Sequence, residues 1–275
     1  MHILTRKSFG LAAVTCCAAG PLIAQTATDS ESRSRVWSFR GIRAEYCVRF
    51  LIKPDAASRK VKDGYALVRA DQDPHLHSAL RHTIQGQPEF AGWAPSRLCF
   101  YFTDTLQLDR RRFVEKDSRK HQMIGVWTLA ARDVEAGTRR DLAVDMYASR
   151  GNLVRAAEGS GVRLREAESV FTGWADATAD THRAKLDKTL VIWRGRPAGD
   201  STRVAQPVEE SWSIPGRRSS KLSAGVVMRP QWSRSLVGSL TVEGKGDLAK
   251  ALKASPIRFV GPLYWGGSAE LRFTR

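Results

Sequence analysis

The chain has 275 residues, 42% of them hydrophobic and 26% charged, with eight tryptophans and a formal net charge of +16. That balance excludes an intrinsically disordered polymer, because it supplies enough apolar and aromatic surface for a folded core. A surplus of this sign favours anionic partners, and arginine, which dominates it, offers a planar fork for carboxylates, sulfates and phosphates.

Residues 1–8 are basic through Arg6 and Lys7, and residues 9–24 are apolar or small and carry no charge. The run ends at Leu22-Ile23-Ala24, where a signal peptidase could cut. This order is that of a bacterial secretory signal peptide, and the apolar run is too short to span a membrane comfortably. The stretch from Thr5 to Leu11 resembles the twin-arginine export pattern with Lys7 in place of the second arginine. The general secretory route is the default. We expect a signal peptide over 1–24, a flexible leader over 25–35 and a β-rich mature domain over 36–275. A division into two subdomains would fall near 173–186. The mature protein is expected in the periplasm or secreted, without a transmembrane segment. Cleavage removes Arg6 and Lys7 and no acid, so the charge falls from +16 to +14.

Strand patterns recur from here on. Apolar alternation or β-branched runs mark 36–40, 44–52, 65–70, 98–103, 124–131, 142–147, 162–166, 189–193, 208–214, 222–228, 237–242, 257–260 and 268–273. Gly266-Gly267 is placed to turn the last pair as a hairpin. Helical patterns are few and short, at 75–83, 152–158 and 247–253. Asp73, Asn152 and Asp247 are read as their N-caps. The similar settings of these helices suggest a strand–helix–strand internal repeat. The fold class is α+β or mainly β, with largely antiparallel sheets and two or three short helices.

Cys47 and Cys99 remain after cleavage, each inside an apolar, β-like run. An even count in an oxidising compartment points to one disulfide between adjacent strands. No CxxC spacing suggests a metal or a catalytic thiol, and no cofactor is expected.

Catalytic motifs are missing. There is no Gly-x-Ser-x-Gly elbow, no His-Glu-x-x-His, no phosphate loop and no dinucleotide fingerprint. Asp73, His75, His77 and His82 are the densest set of metal-type side chains. On a helix capped by Asp73, His75 and His77 would point to nearly opposite sides, whereas a loop would allow them to converge. Asp104, Asp145, Glu166, Glu168, Glu209, Glu210 and Glu243 lie in or beside strands without a readable pair. What stands out is tryptophan beside arginine: Trp193 with Arg194 and Arg196, and Trp232 between Arg229 and Arg234. A tryptophan face with a neighbouring guanidinium can hold an acidic sugar. Strand alternation would instead put the tryptophan in the core and the arginine outside.

The resulting expectation is an exported, non-catalytic protein that binds an anionic glycan, lipopolysaccharide or other acidic polymer, or serves as an envelope module. Nucleic acid is not the expected partner. The alternative is an extracytoplasmic hydrolase with an unrecognised carboxylate or histidine site.

Overall fold

The computed structural model describes residues 35–41, 44–103, 105–108, 111–114, 122–149, 151–159, 162–172, 180–215 and 221–274. The expected signal peptide, most of the leader, Asp104 and the 173–179 part of the expected subdomain boundary lie outside these residues.

Strand-forming sequence dominates. In chain order the strands are β1 (Arg35–Arg40), β2 (Ala44–Ile52), β3 (Tyr65–Leu67), β4 (Ala94–Thr103), β5 (Thr105–Leu108), β6 (Arg111–Val114), β7 (Gln122–Asp133) and β8 (Arg139–Ala148). They continue as β9 (Arg165–Thr172), β10 (Asp180–Leu186), β11 (Thr189–Arg203), β12 (Val208–Pro215), β13 (Lys221–Gly244), β14 (Arg258–Val260) and β15 (Leu263–Thr274). Helices are short: Pro54–Ser58, Ser78–Gly86, Gly151–Gly159 and Asp247–Ala254. The mainly-β expectation therefore holds, and most pairings are antiparallel. Among the described residues two are parallel: β8 with β9, and a single bridge between β8 and β12 at Leu142 and Ser213.

The pairings close a ring. β12 pairs with β13, β13 with β15, β15 with β2, β2 with β4, β4 with β7, β7 with β8, and β8 returns to β12. Side chains that point into this ring include Cys47, Cys99, Tyr101, Val126, Trp212, Val226, Leu271 and Phe273. The opposite face of β2, β4 and β7 carries Tyr46, Val48, Phe50, Leu98, Phe100, Trp127 and Leu129. This face packs under Ala184 of β10, Val191 of β11, and Leu248 and Leu252 of the helix Asp247–Ala254. The central strands are thus buried on both sides. Eight of nine residues of β2 are buried, which is why its sequence is nearly continuously apolar.

Several local expectations change. The runs at 222–228 and 237–242 are one strand, β13, which pairs with β12 and β15 in its first half and with β11 beyond. Gly266 and Gly267 do not turn a hairpin; they lie within β15 at φ of 71° and 83°. Gly267 faces Pro230 of β13, and a Cβ on it would collide with Arg229 O. Left-handed glycines serve an irregular strand as readily as a turn, so the dipeptide alone does not discriminate. Asp247 is the first helical residue rather than the cap, which is Gly246. The helix expected from His75 begins only at Ser78, because His77 caps it instead. No repeated unit emerges among the described residues. The helix Gly151–Gly159 spans a parallel crossover from β8 to β9, whereas Asp247–Ala254 leads to β14, which lies antiparallel to β2.

Candidate functional site

Two strands carry charge into the interior. On β2, Glu45, Cys47 and Arg49 alternate onto one face. On β4, Arg97, Cys99 and Tyr101 do the same, and the register sets Glu45 opposite Tyr101, Cys47 opposite Cys99 and Arg49 opposite Arg97. Cys47 and Cys99 form the expected disulfide, with Cα atoms 4.0 Å apart.

Arg97 is the hub. Its Nη1 donates to Glu210 Oε1 at 2.6 Å, its Nη2 meets Asp141 Oδ2 at 2.8 Å, and its Nε donates to Thr128 Oγ1 at 3.3 Å. Burial alone would lower its pKa, but Glu210 and then Asp141 outweigh that and raise it. Asp141 also accepts from Arg139 at 2.8 Å. Arg139 in turn grips Asp73 through Nε and Nη2, both at 3.2 Å. Tyr101 donates its O–H to Glu210 Oε2 at 2.8 Å.

Glu45 lies deeper, 2% exposed, with Oε1 3.1 Å from Cys47 Sγ. Its Oε2 has no hydrogen-bond partner among the described residues, and neither does Trp212 Nε1. Burial first, and then the charge of Glu210, hold the Glu45 carboxyl well above the ordinary glutamate range. The ligand-type atoms of Glu45, Cys47, Cys99 and Glu210 all lie within 4.8 Å of one another.

Above the arginines a cavity of about 140 Å³ opens outward. Arg49, Arg97, Arg139, Asp73, Asp141, His75 and His77 contribute to its wall. Asp73 accepts the backbone N–H of His75 at 3.0 Å, and His77 Nδ1 accepts from Ala79 N–H at 3.2 Å. The Asp73–His77 segment is thus a loop rather than helix, and it brings His75 and His77 to one opening. With Nδ1 accepting, neutral His77 carries its proton on Nε2. Burial, then Arg49, lower its pKa. His82 is exposed on the helix beyond and does not join them.

The tryptophan–arginine pairs sit elsewhere. Trp193 is 2% exposed, its ring centroid 6.0 Å from that of Tyr46 in the second core. Arg194 and Arg196 are exposed on the outside of the same strand, as alternation dictates for Arg194. Trp232 is 38% exposed, Arg229 is exposed, and Arg234 Nε donates to Gly199 O at 2.7 Å. Trp232 lies opposite Arg203 and Arg196 opposite Val237, so the two groups are well separated along β13. Of the strand carboxylates singled out from the sequence, and among the described residues, Glu210 belongs to the interior cluster. Asp145 pairs with Arg165 at 2.9 Å, Glu168 with Lys185 at 3.1 Å, and Glu166, Glu209 and Glu243 are exposed.

Sequence reasoning missed Glu45, Arg49, Arg97, Tyr101, Arg139 and Asp141 as site residues. The available signal was a charge inside an otherwise apolar strand, as in Ala-Glu-Tyr-Cys-Val-Arg-Phe-Leu-Ile. A charge in a strand buried on both faces must find a partner inside.

The expectation of a non-catalytic binding module is corrected. Charge converges on an interior cluster and its cavity rather than on an exposed Trp–Arg face. No family model and no curated protein matches the sequence. An acetoacetate decarboxylase structure aligns with 10% identity over 86% of this chain and 87% of its own, at a TM-score of 0.48. The acetoacetate decarboxylase of Legionella pneumophila aligns with 9% identity over 86% and 84%, at 0.45. The enduracididine biosynthesis enzyme MppR, complexed with pyruvate, aligns with 13% identity over 86% and 87%, also at 0.45.

Proposed function

We propose that the protein is an enzyme that transfers protons on a small organic anion held in the cavity beside Arg49. The observation that carries this reading is the state of Arg49. Arg97 and Arg139 each meet carboxylates, whereas Arg49 donates Nη1 to Gly261 O at 2.5 Å and has no ion pair among the described residues. A partly buried guanidinium with no carboxylate in ion-pair contact among the described residues suits an incoming carboxylate, which it can meet with two parallel N–H bonds.

Glu45 supplies the second half of the reading. Burial and then Glu210 raise the Glu45 carboxyl well above the ordinary glutamate range, so its protonated form is favoured and it suits a proton donor, although it lies behind the cavity wall rather than in it. Tyr101 and Arg97 hold Glu210 in place as the neighbouring charge. The cavity wall, among the described residues, includes no lysine, so the reading rests on acid–base chemistry rather than on an amine–carbonyl adduct. The reaction class is proton transfer at a carbon next to a carbonyl. We further propose that the protein works outside the cytoplasm, which the pattern of residues 1–24 supports.

The test is proton exchange in heavy water, followed by nuclear magnetic resonance, across a panel of 2-oxo, 3-oxo and 2-hydroxy acids. One class should exchange or turn over. Arg49→Met should raise KM, and Glu45→Gln should lower kcat. If no acid in the panel binds, exchanges or turns over, the reading is wrong.

A further inference from the structure

We propose that, once its disulfide is reduced, the protein binds a zinc-type divalent cation between Cys47, Cys99, Glu45 and Glu210. Three observations converge on it. The four side chains come from β2, β4 and β12, and their ligand-type atoms already lie within 4.8 Å of one another. Cys47, Cys99 and Glu45 are each 2% exposed, so the set is shielded from competing water. Glu45 Oε2 is buried without a hydrogen-bond partner, an acceptor that a cation would satisfy.

The chemistry of the donors selects the ion. Two thiolates with two carboxylate oxygens suit a borderline-soft, four-coordinate metal. Zinc–sulfur bonds of about 2.3 Å and zinc–oxygen bonds of about 2.0–2.2 Å place tetrahedral ligand atoms about 3.3–3.8 Å apart. The Glu45 Oε1 to Cys47 Sγ separation of 3.1 Å is close to that spacing. Glu210 already accepts from Arg97 and Tyr101, but a carboxylate has about four lone-pair sites and keeps capacity for a metal.

The disulfide excludes the metal, because its sulfurs are not thiolates. Reduction by a dithiol breaks the Cys47–Cys99 bond and makes one in the dithiol. The two hydrogens of the dithiol pass to the two cysteines, and two electrons move with them. Binding then displaces both thiol protons, and the Glu45 proton, to water. The proposal does not rest on the enzymatic reading, since its test reads metal rather than turnover.

The test uses full-length protein reduced with dithiothreitol, freed of it without oxygen, and titrated with cadmium and then zinc. We expect one ion per chain, an ultraviolet sulfur-to-cadmium band, and thiols protected from alkylation. Oxidised protein and the Cys47→Ser/Cys99→Ser variant should show none of these. Glu45→Gln and Glu210→Gln should each weaken binding by about tenfold or more. Near-ultraviolet circular dichroism follows the fold throughout. If the reduced chain loosens, metal should restore its signal. No binding, no restoration, or binding indifferent to Glu45 and Glu210 overturns the proposal.

Discussion

Arg97 Nη1 lies 2.6 Å from Glu210 Oε1, a bond between β4 and β12, which do not pair with each other. It therefore braces the ring across its interior rather than along its wall. Both side chains are largely buried, at 19% and 9% exposure. Removing Arg97 takes a shared guanidinium from two buried carboxylates, leaving Glu210 the Tyr101 hydrogen bond and Asp141 the Arg139 pair. Arg97→Met should destabilise the protein by about 3–5 kcal/mol, and the double variant Arg97→Met/Glu210→Gln should lose less than the two single losses combined. Urea unfolding of the four proteins measures this; strict additivity would show that the bond carries no coupling.

Glu45 makes stability depend on pH in an unusual direction for a carboxyl. Its folded pKa is raised above the ordinary value of 4.5, so between the two values the native state holds a proton that the unfolded chain releases. The stabilisation is full below the unfolded pKa and is lost as pH rises through the folded pKa. Glu45→Gln has no such proton. The variant should gain stability relative to the parent as pH climbs from about 4 to about 8. A difference that stays flat across that series would place an ordinary carboxyl at Glu45.

His77 works the other way. Its pKa is lowered by burial and then by Arg49, and its Nδ1 caps the helix Ser78–Gly86. Its contribution is present above the unfolded value and is lost as pH falls through the folded one. His77→Ala should cost about 1 kcal/mol near neutrality, and His77→Asn should recover most of that while removing the pH dependence. Thermal unfolding at several pH values separates the two variants.

Gly195 and Gly238 face each other across β11 and β13. A Cβ on Gly195 would collide with Val237 O and lie 2.7 Å from Trp193 Cζ2. Gly195→Ala should therefore cost about 1–3 kcal/mol by forcing strand and ring apart. Unchanged stability, with unchanged tryptophan emission, would mean the strands yield freely.

The strand content was legible because β-branched and apolar runs mark it directly; the expected limits of β2, 44–52, are the observed ones. Ring closure was not. It depends on β15 meeting β2 and on β8 meeting β12, contacts between segments far apart in sequence that no local pattern encodes. The disulfide was legible because Cys47 and Cys99 each sit in an apolar, β-like run that could lie on adjacent strands. The interior acid was hidden by its company: Glu45 and Arg49 sit in a strand buried on both faces, where period-two alternation disappears. Asp73, His75 and His77 stand out as a cluster, but Arg97 and Arg139, which give that cluster its surroundings, come from β4 and β8.

Ring closure also orders events during synthesis. Glu45 on β2 is flanked on one side by Tyr101 and on the other by Tyr264, and the second neighbour is made more than two hundred residues later. Until β15 has emerged from the ribosome, the Ala44–Glu45 end of β2 lacks its second neighbour, although β14 can already cover Val48–Phe50. A nascent chain therefore cannot assemble its acidic interior in stages, and a product lacking 263–274 should carry the residues of the site without the enclosure that gives them their chemistry.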